Sequence, residues 1–276
     1  MNEIIASFPI YIADAFTDRA FAGNPAAVAF PSEALDDDRM QSIAAEMNLS
    51  ETSFLHRGED GFSLRWFTPR TEVKLCGHAT LAAAHVIWDS HRQAPDRPLV
   101  FHTLSGALTA TRLADGSTEL DFPSRQPTPV TETPVGLLEA LGATQQTIWV
   151  GKDDDDYLVE VATEESLRRL RPDMRRLSEI DTRGVIVTAR SSQEGYDFVS
   201  RFFAPAVGIA EDPVTGSAHC ALAPFWGERL QQSRMTGFQA SERGGAVTVE
   251  TREDRVALTG NCVITMDGQF LLRPKR

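Results

Sequence analysis

Cys76-Gly77-His78-Ala79-Thr80-Leu81-Ala82-Ala83-Ala84-His85-Val86-Ile87-Trp88 is the stretch whose reading decides the fold. From Leu81 to Trp88 it is apolar on every side at helical spacing, and a helix hydrophobic all round belongs inside a core. The predicted helix starts at Gly77-His78, so its first backbone N–H groups have no partner within the helix. Such a start carries partial positive charge and suits an anion such as a carboxylate.

A second copy of the arrangement lies further along. Phe67-Thr68-Pro69 precedes Cys76 by nine residues, and Phe203-Ala204-Pro205 precedes Asp212 by the same nine. Asp212-Pro213-Val214-Thr215-Gly216-Ser217-Ala218 then leads into the apolar run His219 to Trp226. The period is far longer than a solenoid repeat, which points to two similar halves rather than an array. On this spacing Cys76 and Asp212 are expected to be equivalent positions. Gly77, Gly216 and Ser217 become candidate donors to a bound carboxylate. The Ser217 hydroxyl either adds a bond to such a ligand or caps its own helix.

The 276 residues suffice for two domains of ordinary size. Against 39 acidic residues stand 27 basic ones, a net charge of −12, with no basic stripe for nucleic acid and an acidity unsuited to anionic membranes. No apolar run approaches the roughly 18–20 residues that span a bilayer, and the first basic residue is Arg19, which does not resemble a secretory signal. Cys76, Cys220 and Cys262 are odd in number and widely spaced, so neither a disulfide framework nor a zinc site is expected, and a reducing cytoplasm is.

Around the two helices the pattern is of short strands. Ile10 to Phe16 and Ala26 to Phe30 read as a hairpin about the turn Phe21-Ala22-Gly23-Asn24-Pro25, where turn chemistry alone suffices for Gly23 and Asn24 unless that loop faces a cleft and the two line a site. Met40, Ile43, Ala44 and Met47 form one stripe of a helix opened by Asp36-Asp37-Asp38 and stopped at Asn48. Pro123, Pro127, Pro129 and Pro134 mark a linker, giving an N-terminal half of 1–125 and a C-terminal half of 126–276, with the last strand free to cross back. Short strands with one apolar helix per half predict an α+β fold of two barrel-like sheets, each wrapped on a helix. Asp153 to Asp156 reads as a solvated loop, since four adjacent acids cannot all face one ion. Nucleotide-loop, zinc-protease and serine-hydrolase motifs are absent, so no cofactor and no metal are expected. Glu51 lies just before a predicted strand, between Leu49 and Phe54. A carboxyl in apolar surroundings can hold its proton to higher pH and so move protons near neutrality; a turn carboxylate in solvent fits the sequence equally well.

Asp14-Ala15-Phe16 with Gly23-Asn24-Pro25, Asn48-Leu49-Ser50-Glu51-Thr52, Leu75 to Leu81, Glu211 to Ala218 and the late Arg243-Gly244-Gly245 together resemble the PhzF-like (phenazine biosynthesis protein) family over essentially the whole chain. The resemblance implies a diaminopimelate epimerase-like fold: two pseudo-symmetric halves, each a β-barrel around a central helix. It implies that Glu51 shuttles protons, that His78 and Asp212 are active-site partners, and that Gly77, Gly216 and Ser217 cradle the substrate carboxylate. By the same resemblance the chain is a homodimer and the type substrate is a dihydro-hydroxyanthranilate. A two-thiol racemase would need cysteines at both equivalent positions, and this chain has one, Cys76, which is either a reactive thiol at a helix start or a small buried residue. The expected function is therefore an isomerase moving a proton between carbons of a small carboxylic acid. A binding protein without turnover, and a racemase or dehydratase on the same scaffold, are the alternatives.

Overall fold

A computed structural model describes residues 6–272. By their contacts these divide into two compact units: residues 6–121 with 259–272, and Phe122–Leu258. The first unit begins with β1 (Ala6–Ala15), β2 (Asn24–Ala29), α1 (Asp37–Met47), β3 (Glu51–Arg57), β4 (Phe62–Phe67), β5 (Glu72–Val73) and α2 (Gly77–Asp89). It continues with β6 (Leu99–Thr103), β7 (Gly106–Arg112) and β8 (Thr118–Pro123). The chain then runs through β9 (Thr128–Pro129), α3 (Leu137–Leu141), β10 (Thr147–Lys152), β11 (Asp156–Val161), α4 (Glu164–Arg169), α5 (Met174–Leu177), β12 (Gly184–Arg190) and β13 (Phe198–Ala204). After these come β14 (Ile209–Asp212), α6 (Gly216–Leu230), β15 (Arg234–Gln239), β16 (Gly245–Arg252), β17 (Arg255–Gly260) and β18 (Cys262–Leu272). β18 pairs antiparallel with β1 inside the first unit.

α2 is the buried helix its composition predicts. Ten of its residues, from His78 to Trp88, are buried, and it packs on β1, β2, β3 and β18. Gly260 lets it come close, because a Cβ there would run into the Phe16 ring and stand 3.3 Å from Leu81 Cδ1. α6 is its counterpart in the second unit, buried between Gly216 and Trp226 except for the half-buried Ser217 and Pro224, and packed on β15 and β16. Pro224 lies inside α6 and has no N–H for the Cys220 carbonyl; the backbone N–H of Arg125 donates to that oxygen instead, at 3.1 Å.

The pairings within one unit repeat those within the other, and the duplication can be followed strand by strand. β2 runs parallel to β3, as β11 does to β12, and β4 runs parallel to β6, as β13 does to β15. Arg65 on β4 forks onto Glu72 (2.6 and 2.7 Å), and Arg201 on β13 forks onto Glu211 (2.7 and 2.8 Å). Each guanidinium also lies over the phenylalanine two residues on, Phe67 or Phe203.

This register corrects one expectation. Trp66 pairs with Val73, and Phe202, its counterpart, pairs with Asp212. Three residues further on stand the N-caps of the two buried helices, Cys76 and Thr215. Asp212 therefore matches Val73, and Cys76 matches Thr215. The connector of the second unit is three residues longer, taken up by the turn Pro205–Val207 and β14, so equal spacing from the aromatic residue aligned the wrong positions.

The aspartate run also differs from the solvated loop expected. Asp156 is 1% exposed and ion-paired with Arg183, Asp155 pairs with Arg125, and Asp153 Oδ1 accepts the backbone N–H groups of Asp155 and Asp156. A buried carboxylate is tolerable when a hydrogen-bonded cation meets it, and the Arg183 guanidinium donates to both oxygens of Asp156.

The turn before β2 is tightly specified. Gly23 has φ +65°, and a Cβ there would strike the carbonyl oxygen of Ala15. Gly23→Ala is expected to cost at least about 2 kcal/mol, combining left-handed strain with a backbone clash. Chemical denaturation at neutral pH measures it, and a loss below about 0.5 kcal/mol would contradict the reading.

Candidate active site

Glu51, His78, Cys76 and Asn24 come together at the start of α2. Glu51 opens β3, and the parallel register of β2 with β3 sets Ala26 beside it, two residues after Asn24. Glu51 is 8% exposed and His78 4% exposed, so the turn-in-solvent reading of Glu51 is excluded. His78 Nε2 lies 3.1 Å from Glu51 Oε2, but off the line of a ring N–H bond, so neither atom has an aligned partner. On its other edge, His78 Nδ1 is 3.2 Å from the Asn24 side-chain amide and 3.5 Å from Cys76 Sγ.

Burial alone would push the His78 imidazole down, yet Cys76 and Glu51 together hold it well above 6.5. Burial pushes the Cys76 thiol up to about 11, so near neutral pH it is uncharged. Among the described residues, Glu51, Cys76 and His78 also form the one group of three potential metal ligands, with their ligand atoms all within 4.8 Å of one another.

The helix start itself is open. α1, by contrast, is closed by the Asp36 carboxylate, which accepts from Arg39 N at 2.8 Å. α2 and α6 have no side-chain cap and no acidic residue in the first turn. Their first N–H groups, at Gly77-His78 and Gly216-Ser217, thus keep the electropositive character that suits a carboxylate.

Around the start of α6, Asp212 Oδ2 accepts from the Thr215 hydroxyl at 2.6 Å. Gln239 Oε1 accepts from Thr215 N at 2.9 Å, and Gln239 Nε2 donates to the Asp212 carbonyl at 2.8 Å. Arg183, held by Asp156, donates to Ser217 Oγ at 3.1 Å, which leaves the serine proton free to point elsewhere. Ser217 therefore does not cap its helix. The expected residues thus fall into two groups, Glu51, Gly77 and His78 in the first unit and Asp212, Gly216 and Ser217 in the second. Arg183, Asp156, Gln239 and Asn24 were missed. Arg183 and Gln239 had no flag in their local sequence; Asn24 did, and turn chemistry accounted for it.

The two units are not equipped alike. Thr52 pairs with Phe67 and Val185 with Phe203, so the residues just before them, Glu51 and Gly184, correspond. Gly184 is required: a Cβ there would enter the Phe202 ring and stand 3.2 Å from Asp156 Oδ1. Neither the carboxyl at Glu51 nor the thiol at Cys76 has a chemical twin.

His219, one turn into α6, is fully buried, and its Nδ1–H donates to the Thr215 carbonyl at 2.8 Å. Burial pushes it down to about 4. Between pH 6.5 and 4 the unfolded chain takes up a proton that the folded one refuses, so this residue makes stability fall as pH falls through that window. The loss reaches about 3 kcal/mol by pH 4. Comparing denaturation of the parent and His219→Gln from pH 7 to 4 checks it, since the variant should lose less over that interval. Parallel curves would contradict the assignment.

The family model described as phenazine biosynthesis-like protein matches residues 13–268. An uncharacterized isomerase of Halalkalibacterium halodurans is 50% identical over 264 residues, covering 96% of this chain and 98% of its own. An uncharacterized isomerase of Pseudomonas aeruginosa is 47% identical over 264 residues, covering 95% and 98%. Among solved structures, a PhzF-family phenazine biosynthesis protein of Enterococcus faecalis superposes with a TM-score of 0.90 at 40% identity, over 97% of this chain and 100% of that one.

Proposed function

The chain belongs to the phenazine biosynthesis-like family, and from that premise we propose that it is an isomerase in which Glu51 carries a proton from one carbon of a small carboxylic acid to another. The observation that carries this reading is the singleness of the carrier: the counterpart of Glu51 is Gly184 and that of Cys76 is Thr215. A racemase removes a proton on one face and supplies one on the other, which takes two acid/base groups. One carboxyl that takes and returns the same proton suits a shift along a conjugated acid.

In the proposed cycle a C–H bond of the substrate breaks as Glu51 Oε2 takes the proton. The electron pair moves through the adjoining unsaturation, and Glu51 then protonates the distal carbon. The His78 imidazolium beside Glu51 offsets negative charge as it develops, and the Asn24 amide, turned so that its oxygen faces Nδ1, accepts from the ring's other edge. Gly77, at the start of α2 beside Glu51, is proposed as a donor to the substrate carboxylate, and Gly216 and Ser217 are proposed as anion donors at the start of α6 in their own unit. Asp212 is proposed to act through Thr215, which it holds at 2.6 Å.

Incubation with a dihydro-hydroxyanthranilate and a panel of small cyclic and amino carboxylic acids in D2O, followed by NMR, tests the reading. At least one acid is expected to gain deuterium at carbon faster than the blank. Acids that bind saturably while none exchanges would replace the enzyme with a binding protein.

A further inference from the structure

Glu51, Cys76 and His78 supply an oxygen, a sulfur and a nitrogen, the donor types that Zn2+ takes in tetrahedral sites. We propose that these three side chains form a binding site for a soft divalent cation, Zn2+ above all, whose occupation silences the proton carrier. Three observations carry it. The ligand atoms all lie within 4.8 Å of one another. Glu51 Oε2 and His78 Nε2 are buried, face each other at 3.1 Å and have no aligned hydrogen-bond partner, while Cys76 Sγ lies 3.5 Å from Nδ1 of the same ring. Slight residual exposure, 8% each at Glu51 and Cys76, leaves the group reachable from outside.

The edges of a zinc tetrahedron with such ligands are about 3.3–3.7 Å, so the widest pair, within 4.8 Å, closes by no more than about 1.5 Å on the metal. Binding displaces two protons to solvent, one from the thiol and one from Nε2 of the imidazolium, as the metal–sulfur and metal–nitrogen bonds form. One carboxylate and one thiolate then balance a doubly charged cation, and the buried cluster becomes neutral. With Nε2 on the metal, the imidazole proton sits on Nδ1. Turning over the Asn24 amide, whose oxygen and nitrogen can exchange places, offers that proton an acceptor and fixes the ring as metal-bound histidines require. Thiolate and imidazole favour Zn2+ over Mg2+ or Ca2+, which take oxygen ligands. The fourth position stays open to water, and Glu51 Oε2 no longer has its lone pair for a substrate proton.

The silencing rests on Glu51 being the carrier; the binding does not. The test is a titration of the tag-free full chain with Zn2+ against a chromogenic chelator, paired with the absorption spectrum of the Co2+-loaded chain. One Zn2+ per chain is expected, with its Kd raised about 100-fold or more in Cys76→Ser. The parent with Co2+ should show a thiolate-to-metal charge-transfer band and tetrahedral visible bands. Equal Zn2+ affinity in the parent and a folded Cys76→Ser overturns the proposal. If that variant fails to fold, the parent's Co2+ spectrum decides: an octahedral spectrum without a thiolate band overturns the site equally. A Glu51→Gln chain that still exchanges deuterium would sink the isomerase reading and leave a Cys76-dependent metal site standing. Loss of exchange in Glu51→Gln, with no such metal site, would do the reverse.

Discussion

Glu51→Gln is expected to lower kcat for proton transfer by about 10²- to 10⁴-fold, the usual contribution of a positioned acid/base group, with little change in KM. The amide keeps the shape of the carboxyl and cannot take the proton. The same change removes one of the two groups, Cys76 and Glu51, that raise the folded-state proton affinity of His78. A group so shifted adds stability that is fully present below about pH 6.5 and is lost as pH rises through its higher folded value. In Glu51→Gln that alkaline decline should flatten, because burial now opposes the imidazolium without a carboxylate to offset it. Activity and a pH series of denaturation midpoints can be read on one preparation. Deuterium exchange as fast as the parent's would remove Glu51 from the chemistry.

Leu81→Ala, far smaller in chemical terms, is expected to cost about 2–5 kcal/mol. Leu81 is fully buried on α2 and meets the surface that Gly260 leaves open. The upper part of that range applies where a site cannot collapse around the lost atoms, and α2 is enclosed by β1, β2, β3 and β18. Glu46→Ala on the exposed side of α1 should shift stability by no more than about 0.5 kcal/mol. Urea titrations of the two variants compare them directly. A loss below about 1 kcal/mol for Leu81→Ala would mean that α2 is not the centre of its unit.

The buried helix was legible because composition alone exposes it: a stretch without a polar side has nowhere else to go. The α1 stripe was legible too, since Met40, Ile43 and Ala44 are buried as their spacing requires, and Asn48 ends the helix at φ 50°. What spacing could not reveal was which residues of two unequal connectors correspond. Counting from the aromatic residue matched Asp212 to Cys76, whereas the hydrogen-bonded register matches Thr215 to it. The conclusion that the thiol is unpaired survives the correction, because threonine is no more a thiol than aspartate is.

Asp156 was illegible for a different reason. A run of four acids looks the same whichever member turns inward, and the deciding partner, Arg183, is 27 residues away. Asn24 sat in a turn that explained it fully, while its contact with His78 spans 54 residues. β15 carries no clear strand signal in the sequence, because Gly237 interrupts its alternation; that glycine admits the Phe198 ring from the neighbouring parallel strand.

The central claim is that one carboxyl both takes the proton and returns it. Its most direct measurement is the stereochemical course of label transfer, followed by NMR with a substrate deuterated at the carbon that loses hydrogen. A single carrier predicts that part of the deuterium reappears at the second carbon, on the face from which it left. Complete loss of label to solvent with delivery to the opposite face, or inversion at one carbon, would require a second acid/base group and would contradict the account.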